Sequence, residues 1–537
     1  RMAAAEPQTL PGLGAEEYPG FDAEVCPEEL PDLFGHHSAM AVALRNDPGL
    51  YTALREKRTT LGVGLARCIK TGMDIRGHPY IMFVGASAGC AECYEAFRPL
   101  FDELLRACHG PASLELPHAA CLRRGVSSFD MLSAIPVDPE GKYVLSTQVR
   151  AARSLRGLRF PPAASFEERR EAEHALVQGL LGLQGECQGT YYPLAGSRSY
   201  APRPDGMSPA DEEGLRSAGL LFERPEAKAS LASGVGRDWP DGRGVFVNAS
   251  RTLSAWVNEE EHLRVIAARP NGDVQGAFAE VAKALDGVEK SLAARSAAGG
   301  GFARNDRLGF LNASLANVGT ALKVCAIVKL PLLSEWEDVP AWCARRRLNV
   351  RRALDDAGAW MPGVLEVSNK DRLGVSEAAT ANLVVESVAE LVLAERRLEA
   401  GAAAFLPGEA ATCSPQFAAD DAELVLGADD DGFPSVDAVA WEAAGTAFNT
   451  VMEHVAEAER VAAEVRTKLR VLLCSAALNG QLEAAVRAAF GEAPAEEVEP
   501  EASALQAAKG LAEALLAGAS GSAALDLALA AADADEA

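Results

Sequence analysis

The run from Arg237 to Arg264, RDWPDGRGVFVNASRTLSAWVNEEEHLR, constrains this chain more than any other stretch. It reads as a tight turn at Pro240, Gly242 and Gly244, two short β-rich runs, and then Asn258-Glu259-Glu260-Glu261-His262, closed by Arg264. Three adjoining carboxylates repel one another at an ordinary strand end, so a cationic group is expected opposite them, and that points to a site. A solvated acidic turn is the plain alternative for a Glu triplet taken alone.

At 537 residues the chain is too long for one hydrophobic core, and two or three domains are expected. A net charge of -25 counts against a nucleic-acid partner and against a basic membrane-docking face. The first residues carry neither a basic flank nor an apolar core of a signal peptide, and no run approaches membrane-spanning length. The expectation is a soluble intracellular protein, cytoplasmic or attached to a cytoplasmic or organellar assembly. The 11 cysteines are odd in number and scattered, which suits reduced thiols. Cys90 and Cys93 form a CxxC with no second pair and read as ordinary thiols.

Residues 1–27 are rich in Pro, Gly and Glu and read as a tail. Residues 28–125 carry apolar positions at helical spacing, broken by Asn46-Asp47-Pro48-Gly49 and by Gly62 and Gly64, and read as short packed helices. Residues 126–400 form the larger unit, in which short β-rich runs alternate with helical stretches from Tyr143 onward. Arg150, Arg153 and Arg156 read as a cationic group without matching acids, suited to phosphate oxygens. An amphipathic helix is expected over 273–298, apolar at Phe278, Val281, Leu285, Val288 and Leu292, and another runs to about Glu399. Residues 401–434 read as a linker containing Asp429-Asp430-Asp431, and 435–537 as an Ala-rich, acidic helical extension. Such helices make a weak core alone, so the extension is expected to dock on the body or, as the favoured reading, on a protein partner.

RDWPDGRG followed by WVNEEEHLR, GECQGTYYPL at 185–194, the stretch from Leu221, the stretch from Asn305, and VSNKDRLG stand in the order found in the phosphagen kinases. Over about residues 28–400 the chain resembles that family, the ATP:guanidino phosphotransferases, and creatine kinases in particular. The resemblance implies an α+β fold: a small all-helical N-terminal domain, then a larger domain of antiparallel sheet flanked by helices, with the site between them. It implies reversible transfer of the ATP γ-phosphoryl group to a guanidino compound, creatine-like, with Mg²⁺ carried on the phosphates of ATP or ADP and no metal site made by the protein. In that reading Glu260 orients and deprotonates the acceptor, Glu259 is the nearer alternative, and Asp356 assists. Arg150, Arg264, Lys323 and Arg351 neutralise the phosphates, with Arg352 one step away from Arg351 in register. His78, Ile81 and Val84 belong to the loop that closes over the acceptor.

The resemblance also marks departures. Gln148 and Lys323 stand where the family has arginines, Ser314 where it has a cysteine, and Gly219 and Ile327 where it has adenine-side histidines. Two readings follow: a working phosphotransferase with an altered site, or a catalytically weak or inactive kinase-fold subunit with a structural or interaction role. A homodimer is compatible with either.

Overall fold

The computed structural model describes residues 20–79, 81–115, 137–295, 300–336, 338–354 and 359–401, all within the first compact unit of the chain, Arg1–Val436. Asp356, the extension 435–537 and all but the first residue of the linker before it lie outside the described residues, as does the boundary placed near 125.

The N-terminal part is built from α1 (Ala39–Asn46), α2 (Pro48–Leu54), α3 (Leu65–Asp74), α4 (Cys93–Ala96) and α5 (Arg98–His109). The Asn-Asp-Pro-Gly break does what its residues dictate. Asp47 ends α1 and its carboxylate accepts from Gly49 N–H at 3.0 Å, while Pro48, which has no N–H to satisfy, opens α2. Met40, Tyr51, Leu65, Ile69, Phe97, Phe101 and Leu104 form the core of these helices. That core does not close on itself: Phe160, Leu308, Leu311, Ala313, Leu315 and Val318 of the larger domain belong to it. Main-chain bonds from Ala88 N–H to Ala313 O and from Phe160 N–H to Gly89 O, both 2.8 Å, sew the two parts together at the same place.

The larger domain contains β1 (Val144–Arg153), α6 (Phe166–Leu181), β2 (Gly189–Pro193), α7 (Pro209–Arg216), α8 (Lys228–Ser233), β3 (Gly244–Asn248), β4 (Leu253–Val257), β5 (Leu263–Arg269) and α9 (Val274–Arg295). After these come β6 (Arg304–Asn305), β7 (Gly309–Phe310), β8 (Leu322–Lys329), α10 (Asp338–Arg345), β9 (Leu348–Leu354), β10 (Trp360–Asn369) and α11 (Glu377–Glu399). Eight strands make one sheet in the order β2-β3-β4-β5-β1-β8-β10-β9, and every neighbouring pair is antiparallel. β6 and β7 form a separate small hairpin.

One face of the sheet is apolar. Val149, Ala151, Val265, Val324, Ala326 and Val367 meet Leu176 of α6, the stripe Phe278, Val281, Leu285, Val288 and Leu292 of α9, and Val384, Val388 and Leu391 of α11. Both long helices appear within a few residues of where their periodicity puts them. Because side chains alternate across a strand, the intervening residues of β1, β5, β8 and β10 are left on the other face, Arg150, Arg264, Lys323 and Glu366 among them.

Candidate active site

The register of the sheet assembles a cationic surface. Arg150 on β1 lies opposite Lys323 on β8, and Ala152, two residues along, lies opposite Arg264 on β5. These side chains share the face away from the helices. Arg150, Arg264, Lys323 and Arg372 line one open cavity together with Ala152, Asn317 and Ala321. The Nε atom of Arg150 is buried there and makes no hydrogen bond with any described residue. Arg264 and Lys323 each also face a carboxylate, Glu260 and Glu366, and an anion entering between the four cations would reduce the repulsion that remains among them.

Arg153 and Arg156 do not join this group, which corrects the expectation of one arginine cluster on β1. Strand alternation turns Arg153 to the opposite face, where it is fully buried, donates to Ala152 O at 2.7 Å and Thr320 O at 3.0 Å, and lies over the Phe310 ring. Arg156 lies beyond the end of β1 and is exposed. Sequence proximity of three arginines was a poor guide, since a period of two sorts them between faces.

The acid triplet forms the β4–β5 turn. Asn258 adopts φ 55°, a left-handed conformation that Asn tolerates, and its side-chain amide donates to Arg169 O and Gly242 O. The cation expected opposite the acids is Arg264 itself: its Nη2 donates to Glu260 Oε2 at 2.7 Å and lies 3.4 Å from Glu259 Oε2. Glu260 is buried and Glu259 half-buried. The third carboxylate turns inward. Glu261 accepts from Ala313 N–H at 2.6 Å, Ser314 N–H at 2.9 Å, the Ser154 hydroxyl at 3.2 Å and the Asn317 amide at 3.3 Å. Burial pushes its carboxyl up to about 7 against the pull of those donors and of Arg264.

Glu261 therefore fixes the segment that carries Ser314 and Asn317. Glu261→Gln sets an amide NH₂ against at least one of the backbone N–H groups now facing a carboxylate oxygen. Each buried donor left unsatisfied costs about 1–3 kcal/mol, so the variant is expected to melt several degrees lower, read by calorimetry or circular dichroism. A melting temperature equal to that of the parent would remove Glu261 from this role.

On the far side of Lys323, Glu366 of β10 gathers cations. Arg351 donates to Glu366 Oε2 from Nε at 3.0 Å and Nη2 at 2.8 Å, and Lys323 approaches Oε1 at 3.5 Å. Burial alone would raise this carboxyl, yet Lys323, Arg351 and Arg150 together bring it down to about 2. Arg351 thus stands next to the cavity through Glu366 and does not line it. Gln148 lies half-buried on the same face of β1, opposite Cys325 and Ala268.

Ser314 is half-buried and bridges to Ser87 of the helical part by main-chain pairing. His78 and Ile81 face each other across a tight turn, with Ile81 N–H on His78 O at 3.3 Å, and Val84 packs against the helical core; none of the three lines the cavity. Gly219 is an exposed turn residue at φ 64° after α7, and Ile327 lies opposite Glu366. Asp356 lies outside the described residues.

Sequence reasoning assigned no role to Glu261, Asn317 or Arg372, although all three stand inside quoted segments. Arg372 donates to Ala316 O at 3.1 Å and to Asn317 Oδ1, so Asn317 links Glu261 to a cavity arginine. Arg372 was readable in VSNKDRLG as a charged residue two positions before a glycine, but nothing local tells which way it points.

Two buried histidines serve the same scaffold. His262 Nδ1 accepts from Leu155 N–H at 3.0 Å; His109 Nε2 meets Leu315 O at 2.9 Å and its Nδ1 accepts from Arg372 N–H at 3.4 Å. An Nδ1 that accepts an N–H keeps its lone pair, so both rings are neutral. Burial, and for His262 the nearby Arg169, brings His262 down to about 3 and His109 to about 4. Unfolded histidines bind protons from about pH 6.5 downward while these do not, so stability falls as pH falls through that window. Glu261 has the opposite sign between its ordinary value and about 7, offsetting one histidine there. The expected melting temperature therefore declines gently from pH 6.5 to about 4.5 and more steeply below it, where Glu366 adds to the loss. His262→Gln should flatten that decline; an unchanged pH profile would show that His262 does not contribute.

Among the described residues no helix is long and apolar enough to cross a membrane, and no group of three or more His, Cys, Asp or Glu is placed to hold a metal ion.

The same architecture and segments occur in known proteins. Residues 35–106 match the family described as ATP:guanido phosphotransferase, N-terminal domain, and residues 171–398 match ATP:guanido phosphotransferase, C-terminal catalytic domain. Creatine kinase M-type of Tetronarce californica is 39% identical over 374 residues, 70% of this chain and 93% of that protein. Creatine kinase M-type of Gallus gallus is 38% identical over 379 residues, 71% and 93%. Among solved structures, a lombricine kinase superposes with a TM-score of 0.61 at 31% identity, covering 70% of this chain and 96% of that one. The duplicated taurocyamine kinase of Schistosoma mansoni does so with 0.59 at 28% identity, covering 68% and 47%. With the cationic cavity, the acid turn and the two-part fold all in place, this chain belongs to the ATP:guanido phosphotransferase family, the phosphagen kinases.

Proposed function

We propose that this chain transfers the γ-phosphoryl group of ATP reversibly to a guanidino nitrogen of a small, creatine-like acceptor. The observation that carries the reading is the convergence of Arg150, Arg264, Lys323 and Arg372 on one cavity with the Glu260 carboxylate hydrogen-bonded to Arg264. The cations neutralise phosphate oxygens, and Arg264 joins the phosphate side of the site to the acceptor side. Glu260 orients the guanidinium and takes its proton as the nitrogen attacks in line. Glu366 presets Lys323 and Arg351 before nucleotide arrives, which lowers the cost of ordering two long side chains. A cavity walled by cations suits a polyphosphate, so a divalent ion would enter already bound to it; when bound, Mg²⁺ draws charge off the β- and γ-phosphates.

The creatine-like acceptor is favoured by the 38–39% identity to creatine kinases over 93% of their length. Where the family pattern has a cysteine thiolate, Ser314 supplies no negative charge near pH 7, which favours slow turnover and keeps the non-catalytic subunit as the second reading. A coupled ADP-release assay with creatine, arginine and other guanidines decides between them. Turnover with creatine supports the first. MgADP binding by calorimetry without turnover on any guanidine supports the second. Affinity is expected to be weaker than in members with the full arginine set, because Gln148 is neutral and Lys323 cannot fork onto two oxygens; low-micromolar binding would contradict that expectation.

A further inference from the structure

The CxxC that sequence reading set aside has a third thiol beside it. Cys68 on α3, Cys90 and Cys93 are fully buried, with Sγ atoms 3.7 Å apart for Cys90 and Cys93 and 3.8 Å apart for Cys68 and Cys93. All three are free thiols. Cys90 and Cys93 lie in a turn closed by Cys93 N–H on Cys90 O at 3.2 Å. Such a turn holds its end Cα atoms within about 7 Å, and a disulfide spans about 4.4–6.8 Å between Cα atoms. Cys68 contacts Cys93 from another element, so only Cys90 and Cys93 combine sulfur contact with the closed turn.

We propose that Cys90 and Cys93 are a reversible disulfide site, oxidised by a peroxide, and that closing the bond weakens the nucleotide cavity. In the first step the Cys90 thiolate attacks one oxygen of the peroxide, the O–O bond breaks, and sulfenic acid and hydroxide form; the hydroxide takes up the proton that the thiol released, giving water. In the second the Cys93 thiol attacks the Cys90 sulfur, the S–O bond breaks, and a second water leaves with the Cys93 proton. Two thiols lose two electrons and hydrogen peroxide gains them, giving two waters. Cys90 is the sulfur first oxidised because its other neighbour is the Thr59 hydroxyl, 3.4 Å away and next to exposed Thr60, whereas Cys93 is enclosed between two other thiols. The hydrogen bond with Cys93, and burial after it, push the Cys90 thiol up, and burial pushes Cys93 up, so the reaction is slow in the closed protein and gated by opening at this turn.

The turn has no slack. A Cβ on Gly89 would meet Val63 Cγ1 at 2.6 Å and Ala163 Cβ at 2.9 Å, so this loop is pressed against both domains. Drawing the sulfurs from 3.7 Å to about 2.05 Å pulls Cys93 away from Cys68 and Cys90 away from Thr59. Tyr94 follows Cys93 directly, and its hydroxyl donates to Asn312 O at 2.7 Å. The Asn312 amide donates to Asn317 O at 2.6 Å, and Asn317 holds Arg372 in the cavity wall. A shift at the thiols is thus passed by three hydrogen bonds to a phosphate-facing arginine.

The disulfide stands on its own geometry; its effect on the cavity rests on the nucleotide-binding reading given above. The test uses the full reduced chain treated with hydrogen peroxide, alkylated, unfolded and digested with trypsin. Because trypsin does not cut the Arg98–Pro99 bond, Cys90 and Cys93 then fall in one peptide, Gly77–Arg106. The expected result is that this peptide loses two hydrogens, carries no alkyl group, and returns to the doubly alkylatable form after dithiothreitol. MgADP affinity by calorimetry is expected to fall about tenfold on oxidation, roughly what one charge-assisted hydrogen bond is worth, and to recover on reduction. Cys90→Ser should keep the reduced affinity and lose the response. Two alkyl groups on the peptide after peroxide, or a bond from Cys93 to Cys68 in place of Cys90, overturns the disulfide. A bond formed with unchanged MgADP affinity overturns the link to the cavity. Reduced protein that binds no MgADP overturns the functional reading instead, and the peptide mass still decides the disulfide.

Discussion

Glu260→Gln is expected to lower phosphoryl transfer by roughly two to four orders of magnitude while leaving MgADP affinity within about threefold of the parent, the scale on which a positioned acid–base group acts. Glutamine keeps the size of the side chain and one carbonyl oxygen for Arg264 Nη2, so the hydrogen bond now at 2.7 Å survives in weakened form and the fold is little disturbed. What disappears is the charge that, in the proposed function, holds the guanidinium, and the lone pair proposed to take its proton. The comparison of single-turnover rate with calorimetric affinity separates the two effects. Parent-like turnover in this variant would move the role to Glu259, which is half-buried and 3.4 Å from the same arginine.

Arg264→Ala should be the more damaging change, because the same side chain answers two demands. It neutralises Glu260, a carboxylate only 4% exposed, and it is one of the four cations around the cavity. Breaking a buried ion pair from one side strands the other charge and costs about 3–5 kcal/mol, a loss that denaturant titration reads directly. In the proposed function the cavity also loses one charge-assisted contact to phosphate, so MgADP affinity is expected to fall by about tenfold or more. The double variant with Glu260→Gln should recover much of the stability and none of the affinity. Were the double variant as unstable as Arg264→Ala alone, the pair would not be what Arg264 stabilises. Arg264→Lys is expected to retain part of the stability, since it keeps the charge but gives up the planar fork.

Much of the fold was legible because its signals are local. Asn46-Asp47-Pro48-Gly49 breaks the helices where those residues break helices, and the apolar stripe of α9 and the span of α11 follow from a 3.6-residue period. Glu260 and Arg264 were legible as candidate site residues, and a cation was expected opposite the acids; that Arg264 is this cation follows from a tight turn that returns the chain within four residues. Other parts of the site were not. Arg153 looked equivalent to Arg150 in sequence, yet it lies on the other face of β1 under Phe310. Glu261 looked like a third surface acid, but it is consumed by the backbone of Ala313 and Ser314, more than fifty residues away.

What the sequence by itself determined, then, is the set of elements, their apolar faces, the acid turn and its arginine, and the membership in a family that its motifs announce. These depend on spacing of a few residues, which chain geometry converts into structure with little help from elsewhere. Only the tertiary structure decided which charges meet. Arg150 and Lys323 are 173 positions apart and become neighbours through antiparallel register; Arg372 reaches them through Asn317; Glu366 captures Lys323 and Arg351; and Cys68 joins a CxxC from another helix. Such encounters are set by which strand lies beside which and which face each residue takes. That information resides in the packing of the sheet against α6, α9 and α11, and no local window of the chain contains it.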